Sequence, residues 1–566
     1  MPLKKKTPSD RQYSQVLAAT LLAAMVVGNA AHADTALTTG QTVIDTTGNP
    51  ALGVISRAAG ATALFNAAGI ATATGTSLDN GILGPWAFIG TGTATRYATL
   101  DGSNNVVSYT AGTTVLWTGT INSATTNFDI SSATGATYGG SERVANTIRY
   151  TGGAVTIGLG NNTAFGLTVN GLINAGTGTL TFQPGGGATA AAGIHIGATK
   201  ELVLNAANAG ITISSAVHEN AGGASAVTVV GPNTVTLSGA SDYTGITTVT
   251  GAGTLSVSTL ANGGSNSSIG ASTNVAGNLI LTGGTLKYTG AAVSTDRLFS
   301  VQSSSTIDAS GTGAVNFTNT GSMGFNGGTA AKTLTLTGTN TGTNTIAAVI
   351  GDNTGATSVT KSAAGTWVLS GANTYTGATA VNAGTLSVTG SLASGSAVSV
   401  ASGATLRGTG TINGATTITS GGILAAGTSA SSIGTLTFSS TLGTTGATVS
   451  LKLNSTLGTF DLLTSSGAVT LGSAALFLSD IGGSGSWTGT SSAFSILHGS
   501  SISGTFAGLS DGSTITVGSN SFTINYTTSD VTLTASAIPE PATYAAIFGA
   551  LALGMGLIRR RCQSAV

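Results

Sequence analysis

Short runs in which threonine or serine alternates with leucine or valine recur along almost the whole chain, and they restrict its fold more than any other feature. Thr234-Val235-Thr236-Leu237, Thr254-Leu255-Ser256-Val257, Thr333-Leu334-Thr335-Leu336 and Thr385-Leu386-Ser387-Val388 each repeat with period 2. That is the pattern of a half-buried strand with its hydroxyls outward. Glycine, asparagine and serine interrupt the runs every few residues, which is turn chemistry. Long helical periodicity is missing between Asp34 and Ala537, so the body is expected to be all-β.

The runs belong to a larger unit. Leu237-Ser238-Gly239-Ala240-Ser241-Asp242-Tyr243-Thr244-Gly245 returns as Leu369-Ser370-Gly371-Ala372-Asn373-Thr374-Tyr375-Thr376-Gly377, and both copies continue to Ala-Gly-Thr-Leu-Ser-Val, at Ala252 to Val257 and Ala383 to Val388. The first copy is longer by a single residue, added near Gly251. The addition falls between strands, where it leaves the side-chain alternation intact. A short strand unit buries its apolar side only against neighbours, so the copies must stack. Coils of roughly 20 to 25 residues, about 4.8 Å apart, would give around 20 coils and a rod on the order of 100 Å long. An array of β-sandwiches, repeating near every ~100 residues, is the alternative that the long offset between the copies keeps open.

The unit resembles the autotransporter-associated β-strand repeat, with fainter copies at Thr333 to Ile346 and Asn278 to Gly290. Asn80-Gly81-Ile82-Leu83-Gly84-Pro85-Trp86-Ala87 is similar to the N-terminal part of large proteins that carry such repeats. The resemblance implies an elongated right-handed parallel β-helix (solenoid) for 34–432. From Leu436 to Leu533 the strands are stronger and more aromatic, as in Phe522-Thr523-Ile524-Asn525-Tyr526. This resembles the segment that closes such helices, and a C-terminal cap is expected over 433–536, because a stack must hide its last edge.

Both ends read as export signals. Lys4, Lys5, Lys6 and Arg11 precede an uncharged apolar run from Val16 to Val27, and Ala31-His32-Ala33 supplies the small residues of a cleavage site. Residues 1–33 are thus expected to be a signal peptide, handled by the Sec translocon and a signal peptidase that cuts after Ala33. At the other end Pro539-Glu540-Pro541 stays out of helix and sheet. The uncharged run Ala542 to Ile558 follows. As a helix it would be about 25 Å long, near the lower limit for a bilayer span. Arg559, Arg560 and Arg561 would then stop transfer on the cytoplasmic side. This order resembles the PEP-CTERM sorting signal over 537–566. The resemblance implies an exosortase-type membrane protease as partner, transient anchoring in the inner membrane of a Gram-negative bacterium, then the cell surface or its matrix.

Composition limits the chemistry. Between the two signals the body carries 11 basic and 16 acidic residues, far below the roughly 25% charge of ordinary domains. No basic patch follows a phosphate backbone, which argues against nucleic acid. The one cysteine, Cys562, lies past the arginines, so the body holds no disulfide framework or thiolate metal site. A β-helix can still be an enzyme. His218-Glu219 is the only adjacent His–acid pair in the body, but strand neighbours face opposite ways, and a solvated turn is the plainer reading. Glu142 beside Arg143 and Arg149 reads as a surface ion pair. Glu142 and Asp129 show no spacing that would pair them for glycoside hydrolysis. Trp86, Trp117, Trp367 and Trp487 are too dispersed for a sugar-stacking row and read as core or cap. The expectation is a structural or adhesive surface protein, with no catalytic residues, cofactor or metal, and with extracellular polysaccharide as a candidate partner. The competing reading is a polysaccharide-binding or polysaccharide-degrading β-helix.

Overall fold

The computed structural model describes residues 34–535, except 46–48, 118–119, 133, 139–140, 161–163, 326, 484 and 490–492, and then the helical run 548–553 with Met555. The body is an all-β, right-handed parallel solenoid of about 18 turns. Its strands stack into long sheets along the axis, one of 16 strands (the long face), one of 12 (the flank face), and one of 10 that begins at Val293–Thr295 (the third face). The strand alternation does what its period requires. In Lys332–Thr337 the residues are buried and half-exposed in turn, with Leu334 and Leu336 in the core and Thr333, Thr335 and Thr337 outward. Turn length varies widely. Val398 pairs with Thr416 and Val469 with Ile502, so one turn is nearly twice as long as another.

The repeat unit owes its residues to one corner. Tyr243 and Tyr375 are fully buried, with hydroxyls 2.8 Å from Thr247 Oγ1 and 2.7 Å from Thr379 Oγ1. The next amide, of Thr244 or Thr376, donates to a carboxylate of the preceding turn, Glu219 at 2.7 Å or Asp352 at 3.0 Å. The glycine after it must be glycine. A Cβ on Gly245 or Gly377 would stand 2.3 Å from the carbonyl oxygen of Ser225 or Thr357. The two copies occupy different sides of the coil. Thr247–Thr250 and Thr254–Val257 lie on the flank and long faces, whereas Thr379–Val381 and Thr385–Val388 lie on the long and third faces. The offset between the copies is therefore not a whole number of turns. The unit is a strand–corner–strand module that the coil carries around its axis.

Residues 34–109, expected from the sequence to lie in the solenoid body, form a separate element instead. Gly40–Ile44, Ala61–Phe65, Ala87–Ile89, Arg96–Leu100 and Val106–Ser108 make a five-stranded sheet, and Thr35–Leu37 pairs with Ile55–Arg57. This unit lies against the flank face, whose Ile173, Ala175, Val203, Ala207 and Val230 share its core. Flank strands Glu201–Asn205 and Ala226–Val230 are accordingly buried at every residue. They depart from alternation because both of their sides are covered. The Asn80 to Ala87 stretch forms the seam. Gly84 has φ +148°, and a Cβ there would strike the Trp86 indole 2.1 Å away. The Arg57 guanidinium sits over that indole, 5.5 Å from its centroid, and bonds Glu201 of the solenoid at 2.6 Å.

Parallel pairing continues to Ser501–Ser503. The antiparallel strands Thr514–Val517, Asn520–Tyr526 and Asp530–Ala535 then fold over the end and pair with Ala493–His498. Beneath them Phe494 stacks on both Phe460 and Trp487, with centroids 4.3 and 4.7 Å away, in a triangle of rings whose third side is 6.5 Å. Trp117 and Trp367 are fully buried and Trp86 nearly so, in line with the core and cap positions expected of the tryptophans.

No helix among the described residues is long and apolar enough to cross a membrane. The described part of the expected span, residues 548–553, is helical and exposed. Residues 542–547, 554 and 556–558 of the transmembrane helix expected at Ala542 to Ile558 lie outside the described residues, and the described fold does not show the span. The signal peptide of residues 1–33 lies outside the described residues.

Candidate functional site

Every sorting position named from the sequence lies outside the described residues: Ala31 and Ala33, Pro539, Glu540 and Pro541, and Arg559, Arg560 and Arg561. Within them, ionisable side chains gather most densely at the outer corner of three successive turns. Thr168 pairs with His195, and His195 with His218, each one turn on. Parallel stacking in register sets their side chains one above the other. The two imidazoles meet edge to face at 5.0 Å. They line an open cleft of about 500 Å³ with Thr168, Glu219 and Asn220.

Two carboxylates brace the pair from either end. Glu142 Oε1 lies 3.0 Å from His195 Nδ1 and accepts the Thr168 hydroxyl at 2.8 Å, while its Oε2 accepts the Gly166 amide at 2.7 Å. His195 Nε2 is 3.0 Å from the Ala191 carbonyl oxygen. Both ring nitrogens thus face acceptors, which favours the imidazolium. The Glu142 carboxylate chiefly, and the Ala191 carbonyl besides, raise the His195 pKa against the pull of burial. Burial pushes the Glu142 carboxyl up, but the bonds from His195, Gly166 and Thr168 together bring it below its ordinary value. Asp242 takes His218 Nδ1 at 2.9 Å and the Glu219 amide at 2.8 Å. The Glu219 carboxylate holds the Thr244 amide and hydroxyl.

Several expectations change here. His218 is no solvated turn residue: its side chain is 15% exposed and tied to Asp242. Glu142 does not pair with Arg143 or Arg149. Arg143 lies over the Tyr138 ring, and Arg149 bonds the Thr95 carbonyl at 2.7 Å with Asp129 at 3.9 Å. The signal that could have located the cluster is the match of His195 with His218 across one turn. It is invisible until the turn length is known.

The cluster works as a brace. His195 is bonded on both sides, and no three His, Cys, Asp or Glu side chains among the described residues stand close enough to hold a metal ion. The pair should make stability depend on pH. Because its pKa is raised, His195 contributes stability below about pH 6.5 that is lost as pH rises through its folded value. Glu142, lowered, contributes stability above pH 4.5 that is lost as pH falls through its folded value. The contribution is therefore largest between those two values. Glu142→Gln is expected to return the His195 titration, followed by NMR of the ring protons, toward 6.5, and to flatten the fall in melting temperature above it. An unchanged titration would mean that Glu142 does not hold the proton.

The repeats have counterparts in known proteins. A family model described as Passenger-associated-transport-repeat matches residues 227–257 and 359–388. These are the two segments built around Tyr243 and Tyr375. The chain is also 50% identical, over 148 residues, to a protein named "Adhesin BmaC autotransporter" from Brucella suis biovar 1 (strain 1330). That stretch is 25% of this chain and 4% of the relative, so the chain spans a small fraction of the protein it matches. Both likenesses support the repeat part of the resemblance read from the sequence.

Proposed function

We propose that the chain is an exported, non-catalytic adhesive protein of a Gram-negative cell surface, with the solenoid as its working part. The observation that carries this reading is the pair of passenger-type repeats at 227–257 and 359–388, together with the half-identical stretch in an adhesin. The physical character of the body supports it. A stacked coil of low charge, with its cations largely tied up in pairs or carbonyl contacts, presents a long surface of hydroxyls and few groups fit for acid–base chemistry. Export by the Sec translocon, cleavage after Ala33, recognition of Pro539-Glu540-Pro541 by an exosortase-type protease and arrest at Arg559 to Arg561 form the finer part of the proposal. They rest on the sequence motifs.

The test is attachment. Cells carrying the gene and cells lacking it are compared for binding to surfaces and to one another, with the protein located by antibody on intact cells. Stronger attachment in carriers, with label on the surface, supports the proposal, and equal attachment or an unlabelled surface refutes it. Glu540→Ala separates out the sorting step. Uncut protein should collect in the inner membrane, whereas unchanged delivery with tail peptides still attached would refute the exosortase route and leave adhesion standing.

A further inference from the structure

Along the long face, Thr254, Thr285, Thr306, Thr335 and Thr360 stand in register on five successive strands. The rank continues through Ala380 to Ser399 and Thr417, and past Gly443 to Thr470 and Ser503. Every position is thus a small hydroxyl residue or smaller. Successive members are one strand spacing apart, about 4.8 Å, and the rank from Thr254 to Ser503 runs along more than half of the rod. Among the described residues of this sheet's strands, the charged side chains that point outward are Lys287 and Asp308, and they lie 3.9 Å apart. Lys332 and Lys361 of the same strands are buried. The N-terminal sheet lies over the flank face and leaves this one open.

We infer that this rank is a binding surface for an extended, neutral, β-linked polysaccharide chain lying along the solenoid axis. Four properties select that partner. The face has no net charge, so it offers nothing to nucleic acid, anionic glycan or a charged lipid surface. Each threonine presents a hydroxyl, which both donates and accepts, beside a methyl group. This is the chemistry of a sugar ring, with hydroxyls at its rim and C–H on its faces. The sites repeat on a fixed step close to the advance of an extended β-linked sugar, so successive rings can meet successive strands. A single hydrogen bond exchanged with water adds little net affinity. Affinity must then come from many sites engaged at once, which a long polymer provides and a short sugar does not. The inference deepens the adhesive reading and rests on it, by naming what the surface adheres to.

The test uses the purified full-length chain and insoluble neutral β-glucan, at low and high salt, with alginate as the anionic comparison. Retention on the glucan should be the same at both salt concentrations, and soluble disaccharide should compete poorly. The triple variant Thr306→Val, Thr335→Val, Thr360→Val keeps branched side chains in the strands and removes three hydroxyls. It is expected to bind at least about tenfold more weakly, because sites engaged together lose affinity together, with an unchanged circular dichroism spectrum. The matching triple on the third face, Thr366→Val, Thr385→Val, Thr405→Val, also lies in register and is expected to bind as the parent does. No retention, retention abolished by salt, preference for alginate, or equal loss in both triples would overturn the inference. So would a stable dimer through this face that excludes the glucan. Cells that attach to protein-coated surfaces while the chain ignores glucan would refute this inference alone and leave the adhesive reading in place.

Discussion

Asp461→Ala is expected to destabilise the C-terminal turns by about 3–5 kcal/mol, the usual cost of leaving one partner of a buried ion pair alone. Asp461 is fully buried, and its carboxylate lies 2.6 Å from Lys452 Nζ, whose own side chain is 6% exposed. The same carboxylate accepts the Gly434 amide and the Lys452 amide, each at 2.8 Å. Burial holds its carboxyl above the ordinary range in spite of these bonds. Removing it strands a buried ammonium, with only the Ala426 carbonyl at 2.6 Å, and two backbone donors. Replacing both partners by apolar residues should recover only part of the loss, because the two amides stay unpaired. Since a stacked coil unfolds in parts, the readout is hydrogen exchange of 448–465, where protection should collapse in the single variant. Protection equal to that of the parent would show that the pair is not needed.

Val230→Asp is expected to detach the N-terminal sheet. Val230 is fully buried on the flank face, within the core that this face shares with the sheet. Placing an unpaired carboxylate there costs several kcal/mol in the docked state, and detachment relieves that cost by returning the charge to water. Limited proteolysis should then cut within 34–109 while the solenoid persists as a resistant fragment. The uncovered Ile173, Ala175, Val203 and Ala207 strip should make that fragment prone to associate. A digestion pattern like the parent's would contradict the clamped arrangement.

What the sequence disclosed and what it hid follow from the range of each interaction. The Thr–Leu alternation is local, with period 2, and was legible directly, as was the repeat around Tyr243 and Tyr375. The reasons for Tyr-Thr-Gly were not legible. The tyrosine bonds a threonine four residues on, but the carboxylate that caps the corner comes from the preceding turn, 25 residues back in one copy and 24 in the other. The N-terminal sheet was also missed, although its trace is present. Glu201–Asn205 and Ala226–Val230 lack the polar alternation of the other strands, as strands covered on both sides must. The His195–His218 contact could not be read at all. With turns that differ almost twofold in length, no fixed spacing in the sequence tells which residues will lie one above the other.

The claim that the body is one continuous solenoid is tested most directly by small-angle X-ray scattering of residues 34–535. About 18 turns at a strand spacing of about 4.8 Å give a rod of about 85 Å, so the pair-distance distribution should be skewed, with a tail reaching at least that length. A symmetric, bell-shaped distribution with a radius of gyration of ~23 Å, as for a compact globule of this size, would contradict it.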